Sequence, residues 1–244
     1  MKIIIIIPAR YSSSRFQGKP LADLCGKPMI WWVYNQAKKI KEATDVIVAT
    51  DDSRIFESCS NLRIKCEMTR RDHKTSTERA FEVAQKHQAD LYVVVNGDEP
   101  LIDPNTIISV IPKTIDNSKP RVFNLMTKII DPVQALDSSN IKVVADKNGS
   151  ALLFTRSLIP YPKSSLDYAF YKHVGVLAYN FEALRFFSET QKGPLETIED
   201  INELRFLENG IKVQMIETSC ETLSVDTPKD LEFVKKIILG KQHE

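Results

Sequence analysis

The densest chemistry lies in the first twenty residues, MKIIIIIPARYSSSRFQGKP. Behind an isoleucine run, Ile3 to Ile7, the chain carries Arg10, Ser12, Ser13, Ser14, Arg15, Gly18 and Lys19. Cations, hydroxyls and a glycine in one short loop suit a polyphosphate. The cations neutralise its charge, and loop N–H groups and hydroxyls donate hydrogen bonds to it. The spacing is neither G-x-x-x-x-G-K-[ST] nor G-x-G-x-x-G, so this is no P-loop and no dinucleotide fingerprint. A merely solvated charged loop is the competing reading.

Two carboxylates add to this chemistry. Asp98 follows the apolar run LYVVV in the segment NGDEPL, and Asp226 stands in VDTPKDL. Strand-end carboxylates can share a Mg²⁺ whose remaining positions are filled by phosphate oxygens. Each also has a plain structural role open to it: Asp98 as a turn residue, Asp226 as a helix N-cap before Pro228. His173, in YKHVGVLAY, suits either a core position or a site. The basic cluster Arg70, Arg71, His73, Lys74 and Arg79 suits a solvated face or anion recognition.

The elements that must position these groups follow from periodicity. Ile3–Ile7 reads as a strand covered on both faces, ended by Pro8. Further strands are expected at 45–50, 64–68 and 91–95, and helices at 29–41, 53–60, 77–87 and 104–111. Alternation of this kind predicts a parallel sheet with helices on both faces. In such sheets ligands bind beyond the carboxyl ends of the strands. The second half is mixed. Strands at 121–128, 141–145, 151–155 and 174–179 are close enough together to pair antiparallel. Helices at 181–189 and 199–209, a strand at 212–216 and a helix at 228–239 complete the chain.

Composition narrows the class. The chain has 244 residues, with 43% hydrophobic and 27% charged, enough for one sizeable core. A net charge of +1 gives no basic excess for nucleic acid. Cys25, Cys59, Cys66 and Cys220 have no C-x-x-C spacing and read as reduced packing residues of a cytoplasmic protein. His73, His87, His173 and His243 form no zinc motif. No apolar stretch approaches the roughly 20 residues of a membrane span, and the short N-terminal run does not read as a signal peptide.

Seven segments in one order carry a resemblance: PARYSSSRFQGKPL, GKPMIWWVY, VATDDSRI, NGDEPLI, IKVVADKNGSALLFTRSLIPY, YKHVGVLAY and VDTPKDL. Together they resemble the bacterial 3-deoxy-manno-octulosonate (Kdo) cytidylyltransferases, the CMP-Kdo synthetases. That resemblance implies an α/β nucleotide-diphospho-sugar transferase fold: a Rossmann-like, mixed but mainly parallel sheet with helices on both faces and a small β excursion in the second half. It implies one cytidylyltransferase domain over 1–244, with a dimerisation subregion around 120–185. It also implies a cytoplasmic homodimer that uses CTP, an acidic sugar and Mg²⁺ to make a CMP-sugar for lipopolysaccharide biosynthesis.

The resemblance also assigns residues. Lys19, Arg10, Arg15 and Asp98 are the catalytic set. Pro8, Ala9, Arg10, Ser13, Arg15, Lys19, Thr75, Arg79 and Asn96 hold the nucleotide. Asp98 and Asp226 hold the metal. Asn96, Arg156, His173, Leu177, Asn202 and Glu203 meet the sugar. The chain departs from the family on the acceptor side. Asn96 replaces the glutamine of Q-G-D-E-P, and Leu177 replaces the tyrosine of H-x-G-x-Y. The run His73–Arg79 differs from H-x-S-G-T-D-R, and Ile201-Asn202-Glu203-Leu204-Arg205 differs from L-E-Q-L-R. Cytidylyl transfer to Kdo or a related acid is therefore expected, with Kdo the poorer acceptor. Amino-Kdo, a nonulosonate or a phosphonate are the alternatives, and an inactive nucleotide-binding subunit is the alternative from another class.

Overall fold

The computed structural model describes residues 1–13, 15–164, 168–219 and 223–241; Ser14, Cys220 and His243 lie outside them. The chain opens with β1 (Ile3–Ala9), the short pair β2 (Asp23–Leu24) and β3 (Lys27–Pro28), then α1 (Met29–Ala37). Next come β4 (Asp45–Thr50), α2 (Ser53–Asn61), β5 (Cys66–Met68), α3 (Ser76–Lys86), β6 (Leu91–Val95) and α4 (Pro104–Ser109). The second half holds β7 (Val122–Lys128), α5 (Pro132–Leu136), β8 (Lys142–Ala145), β9 (Ala151–Thr155) and β10 (Tyr171–Tyr179). It closes with α6 (Phe181–Glu189), α7 (Pro194–Glu199), α8 (Leu204–Glu208), β11 (Val213–Thr218) and α9 (Pro228–Lys241).

The main sheet runs β11-β7-β10-β6-β1-β4-β5, with β8 beside β10 and β9 beyond β8. β6, β1, β4 and β5 are parallel, as are β7 and β11; β10 is antiparallel to both of its neighbours on that path. Residues 142–179 supply the expected β excursion, β8 and β9 pairing antiparallel. The isoleucine run divides between two cores because successive side chains leave a strand on opposite faces. Ile3, Ile5 and Ile7 pack with Ile30, Val33, Ile55 and Ile107 of α1, α2 and α4. Ile4 and Ile6 pack with Val83, Leu184 and Phe206 of α3, α6 and α8.

Three expectations are corrected. Pro8 does not end β1, which continues to Ala9 beside Thr50. β6 pairs with β1 only as far as Ile6, so Pro8 is flanked on one side and its missing N–H is tolerated there. The helix expected to Lys41 ends at Ala37. The helix expected at 199–209 is confined to α8 at its C-terminal half, since α7 ends at Glu199 and Asp200 takes a left-handed φ of 52°.

α3 is anchored at both ends. Thr75 and Glu78 form a reciprocal cap at its start. Farther along, Glu82 accepts from the Arg70 amide at 2.9 Å, pairs with His73 Nε2 at 2.7 Å and accepts from Lys86 Nζ at 3.2 Å. Burial alone would raise the Glu82 pKa; these donors outweigh it and hold the pKa at about 2, against 4.5 ordinarily. A depressed carboxylate stabilises above its unfolded pKa, and that stability is lost as pH falls through the folded value. Glu82→Gln is therefore expected to cost about 2 kcal/mol at neutral pH, with the gap to the parent closing between pH 4.5 and about 2. Chemical denaturation across that range checks this; a gap independent of pH contradicts it.

Candidate active site

A cavity of about 630 Å³ opens beyond the carboxyl ends of β1 and β6. The loop after β1 forms one wall. It is closed by the Gly18 N–H donating to the Tyr11 carbonyl at 2.8 Å. Gly18 has φ of 70°, a region that favours glycine, and a Cβ there would sit 3.2 Å from the Tyr11 ring. Tyr11 is itself covered by the Arg54 guanidinium, 3.3 Å above its ring centroid. The loop thus returns the chain to Lys19 in a defined place.

Lys19 is the centre of the site. Its Nζ donates to Asp98 Oδ2 at 2.9 Å and to Asp226 Oδ1 at 3.4 Å. Arg15 Nη2 also donates to Asp226 Oδ1, at 3.0 Å. The alternative role for Asp226 is not taken. Thr227 and Asp230 cap the start of α9: Asp230 Oδ2 accepts from the Thr227 amide at 2.8 Å, and Thr227 Oγ1 accepts from the Asp230 amide at 3.3 Å. Asp226 is left to face the cavity. The Asp98 carbonyl accepts from the Val225 amide at 2.8 Å, which ties the two acidic segments together. α9 is held there because Leu231, Val234 and Ile238 pack with Leu24, Met29 and Phe16 of the N-terminal region.

The cavity is lined by Pro8 and Ala9 at the end of β1 and by Arg10, Ser13, Arg15 and Lys19 after it. Thr75 and Arg79 of the α3 region, and Asn96, Asp98, Asn202 and Asp226, complete the expected residues found there. Arg10 donates to the Lys74 carbonyl at 3.3 Å, joining the two loops. Arg79 is fully buried; its guanidinium donates to Asp51 Oδ2 at 2.8 Å and to the Thr69 hydroxyl, so it braces the wall as well as lining it.

Four expected acceptor residues do not line the cavity. Arg156 spends its guanidinium on main-chain carbonyls, of Glu199 at 2.7 Å and Ser138 at 3.0 Å, and so holds the turn that carries Asp200. Leu177 is buried in the core with α6 and α8, as the inward member of its strand alternation. Glu203 is buried, and its charge bears on His173 and Tyr179. His173 Nδ1 lies 2.9 Å from Asn124 Oδ1. Asn124 donates both amide hydrogens to carbonyls, so its Oδ1 accepts and His173 carries its proton on Nδ1. Burial lowers the His173 pKa, with Glu203 opposing, which favours the neutral ring.

Lys192 and Asp200 line the cavity without any signal in the sequence. Both lie on the loops around α7, which only folding brings to this wall. Beneath the floor, Glu99 is buried with Oε2 unpartnered. Burial and the neighbouring Asp98 charge push its pKa up to about 8.

The donor set fits a Mg²⁺ bound together with phosphate. Two carboxylates converge on one cation beneath a phosphate-type loop, and Mg²⁺ ordinarily takes one or two carboxylates plus substrate oxygens. Among the described residues no cluster of three or more His, Cys, Asp or Glu could hold a metal alone.

Comparison with known proteins shows the family. A family described as "Cytidylyltransferase" matches residues 4–239. The 3-deoxy-manno-octulosonate cytidylyltransferase of Solibacter usitatus (strain Ellin6076) is 40% identical over 97% of this chain and 94% of its own. That of Syntrophus aciditrophicus (strain SB) is 42% identical over 98% of each. A solved CMP:2-keto-3-deoxy-manno-octonic acid synthetase complexed with CTP superposes with a TM-score of 0.92, at 38% identity, covering 99% of this chain and 100% of its own.

Lys19→Met removes the cation between the two carboxylates. It is expected to lower stability by about 1 kcal/mol. It should also enlarge the thermal shift given by millimolar MgCl₂, because no ammonium then competes for the carboxylates. An unchanged Mg²⁺ response would show that Asp98 and Asp226 do not receive the ion.

Proposed function

This chain belongs to the 3-deoxy-manno-octulosonate cytidylyltransferases, and from that membership we propose that it transfers CMP from CTP to Kdo with release of pyrophosphate. The observation that carries the reading is the convergence of Lys19, Asp98 and Asp226 at the foot of a cationic loop. The product, CMP-Kdo, serves lipopolysaccharide biosynthesis in the cytoplasm. Among the described residues no helix is long and apolar enough to cross a membrane. Other acceptors are not favoured. The relatives carry the Kdo name, and two of the departures that suggested another acid, Leu177 and Glu203, lie outside the cavity lining. An inactive subunit is disfavoured too, since the loop cations and both carboxylates are assembled.

The anomeric hydroxyl of Kdo, losing its proton to water, attacks the α-phosphorus of CTP in line as the bond to the pyrophosphate oxygen breaks. Arg10, Arg15 and Lys19 offset the charge gathering on the departing pyrophosphate. Pro8, Ala9, Ser13, Thr75 and Arg79 seat the nucleotide, and Asn96 and Asn202 face the acceptor. Asp98 and Asp226 would hold Mg²⁺, which when bound would supply Lewis-acid polarisation of phosphate oxygens. Arg156 and His173 support the walls. Positioning and charge stabilisation suffice, with no covalent enzyme intermediate.

The homodimer is part of the same reading. Apolar side chains crowd the surface of the 120–185 region: Ile130, Val133, Leu136, Leu152 and Leu158 are exposed, and Tyr161 is 85% exposed. A patch of this kind suits a second copy of the chain.

Three measurements test the proposal. Pyrophosphate release from CTP should be supported by Kdo in preference to 8-amino-Kdo, nonulosonates and a phosphonate. Asp98→Asn and Asp226→Asn should fold and lose about a hundredfold or more in kcat. Near-parental turnover by either variant at limiting Mg²⁺ would remove that aspartate from the metal site. In sedimentation, the parent is expected as a dimer and Leu136→Glu with Tyr161→Glu as a monomer; a monomeric parent would refute the interface.

A further inference from the structure

The end of the β6–β10 ladder holds a glycine that is not explained by backbone freedom. Gly175 is buried, and it is absent from the glycines with positive φ. Space is what it provides. A Cβ at 175 would lie 2.4 Å from Asn96 Nδ2, 3.0 Å from Asn96 Cγ and 3.2 Å from Glu99 Oε1. The first distance is shorter than real Cβ contacts, so something would have to move.

The backbone around Gly175 is pinned. β10 slips its register against β7 between His173 and Leu177. Asn124, fully buried, spans this bulge by donating to the Val174 carbonyl at 2.9 Å and the Val176 carbonyl at 3.1 Å. Its Oδ1 is taken by His173, so the amide has no freedom to turn. The Gly175 carbonyl in turn accepts from the Asn96 amide at 3.0 Å, which keeps the two residues face to face. A methyl at 175 would therefore displace the Asn96 carboxamide, the flexible member of the contact. That carboxamide belongs to a residue lining the cavity beside Asp98.

We propose that Gly175 is a positioning residue for the reaction: its missing side chain sets where the Asn96 carboxamide lies, and Asn124 with His173 holds it in register. Only the turnover readout of this proposal rests on the function given above. The two ideas can fail separately.

The test is a double-mutant cycle with Gly175→Ala, Asn96→Ala and the pair, read by acceptor kcat/KM and by thermal midpoint without substrates. Gly175→Ala alone is expected to lower acceptor kcat/KM about tenfold and to lower the midpoint. In the Asn96→Ala background, where the obstructing carboxamide is gone, adding Gly175→Ala should change kcat/KM by less than about twofold and leave the midpoint in place. Equal damage in both backgrounds would mean that Gly175 acts through Glu99 or the strand alone and would overturn the proposal. So would parental kcat/KM for Gly175→Ala. A parent that releases no pyrophosphate from CTP and Kdo would refute the function, while the midpoint cycle would still decide the packing.

Discussion

Two like charges held together need a third group between them, and much of this molecule is arranged around that requirement. Asp98 stands at the end of β6 and Asp226 just before α9, far apart in the chain. Lys19, with 15% of its side chain exposed, lies within hydrogen-bond reach of both. Two facing carboxylates with no cation between them would repel each other. The ammonium offsets that repulsion, and it binds the N-terminal loop to the C-terminal helix. The apolar contact of Phe16, Leu24 and Met29 with Leu231, Val234 and Ile238 supports the same join from behind.

The site is therefore made at a seam. One side is the parallel sheet, whose strands end together and leave loops free to carry polar groups. The other is α9, delivered by tertiary packing. Capping by Thr227 and Asp230 matters here, because it satisfies the helix start without consuming Asp226. A carboxylate one residue outside a capped helix can face a ligand; one serving as the cap cannot.

A second polar assembly shapes the wall on the β10 side. Asn124 closes the bulge with both amide hydrogens and fixes the His173 tautomer with its oxygen. Arg156 works in the same manner, holding the turn at Asp200 through carbonyls. Both are polar side chains near a ligand cavity whose hydrogen-bonding capacity is spent on the protein itself. Their role is rigidity, which keeps the contacting groups in place.

Much of the fold was legible in the sequence. Short apolar runs such as VIVA within DVIVAT, and LYVVV, read as strands covered on both faces, and both fall where expected. The cationic loop and the two aspartates stand out in the sequence because their chemistry is local, cations beside hydroxyls and carboxylates after apolar runs, and the structure brings them to one cavity. Direction was not legible. Leu177 and Glu203 lie in motif positions that suggest a sugar, yet strand alternation and the break at Asp200 turn them into the core. Lys192 carries no motif and reaches the cavity through the path of the loop around α7. Residue type and spacing determined which chemistry the chain can perform. Which side chains face the cavity was decided by packing, because burial and hydrogen bonding are satisfied by neighbours distant in sequence.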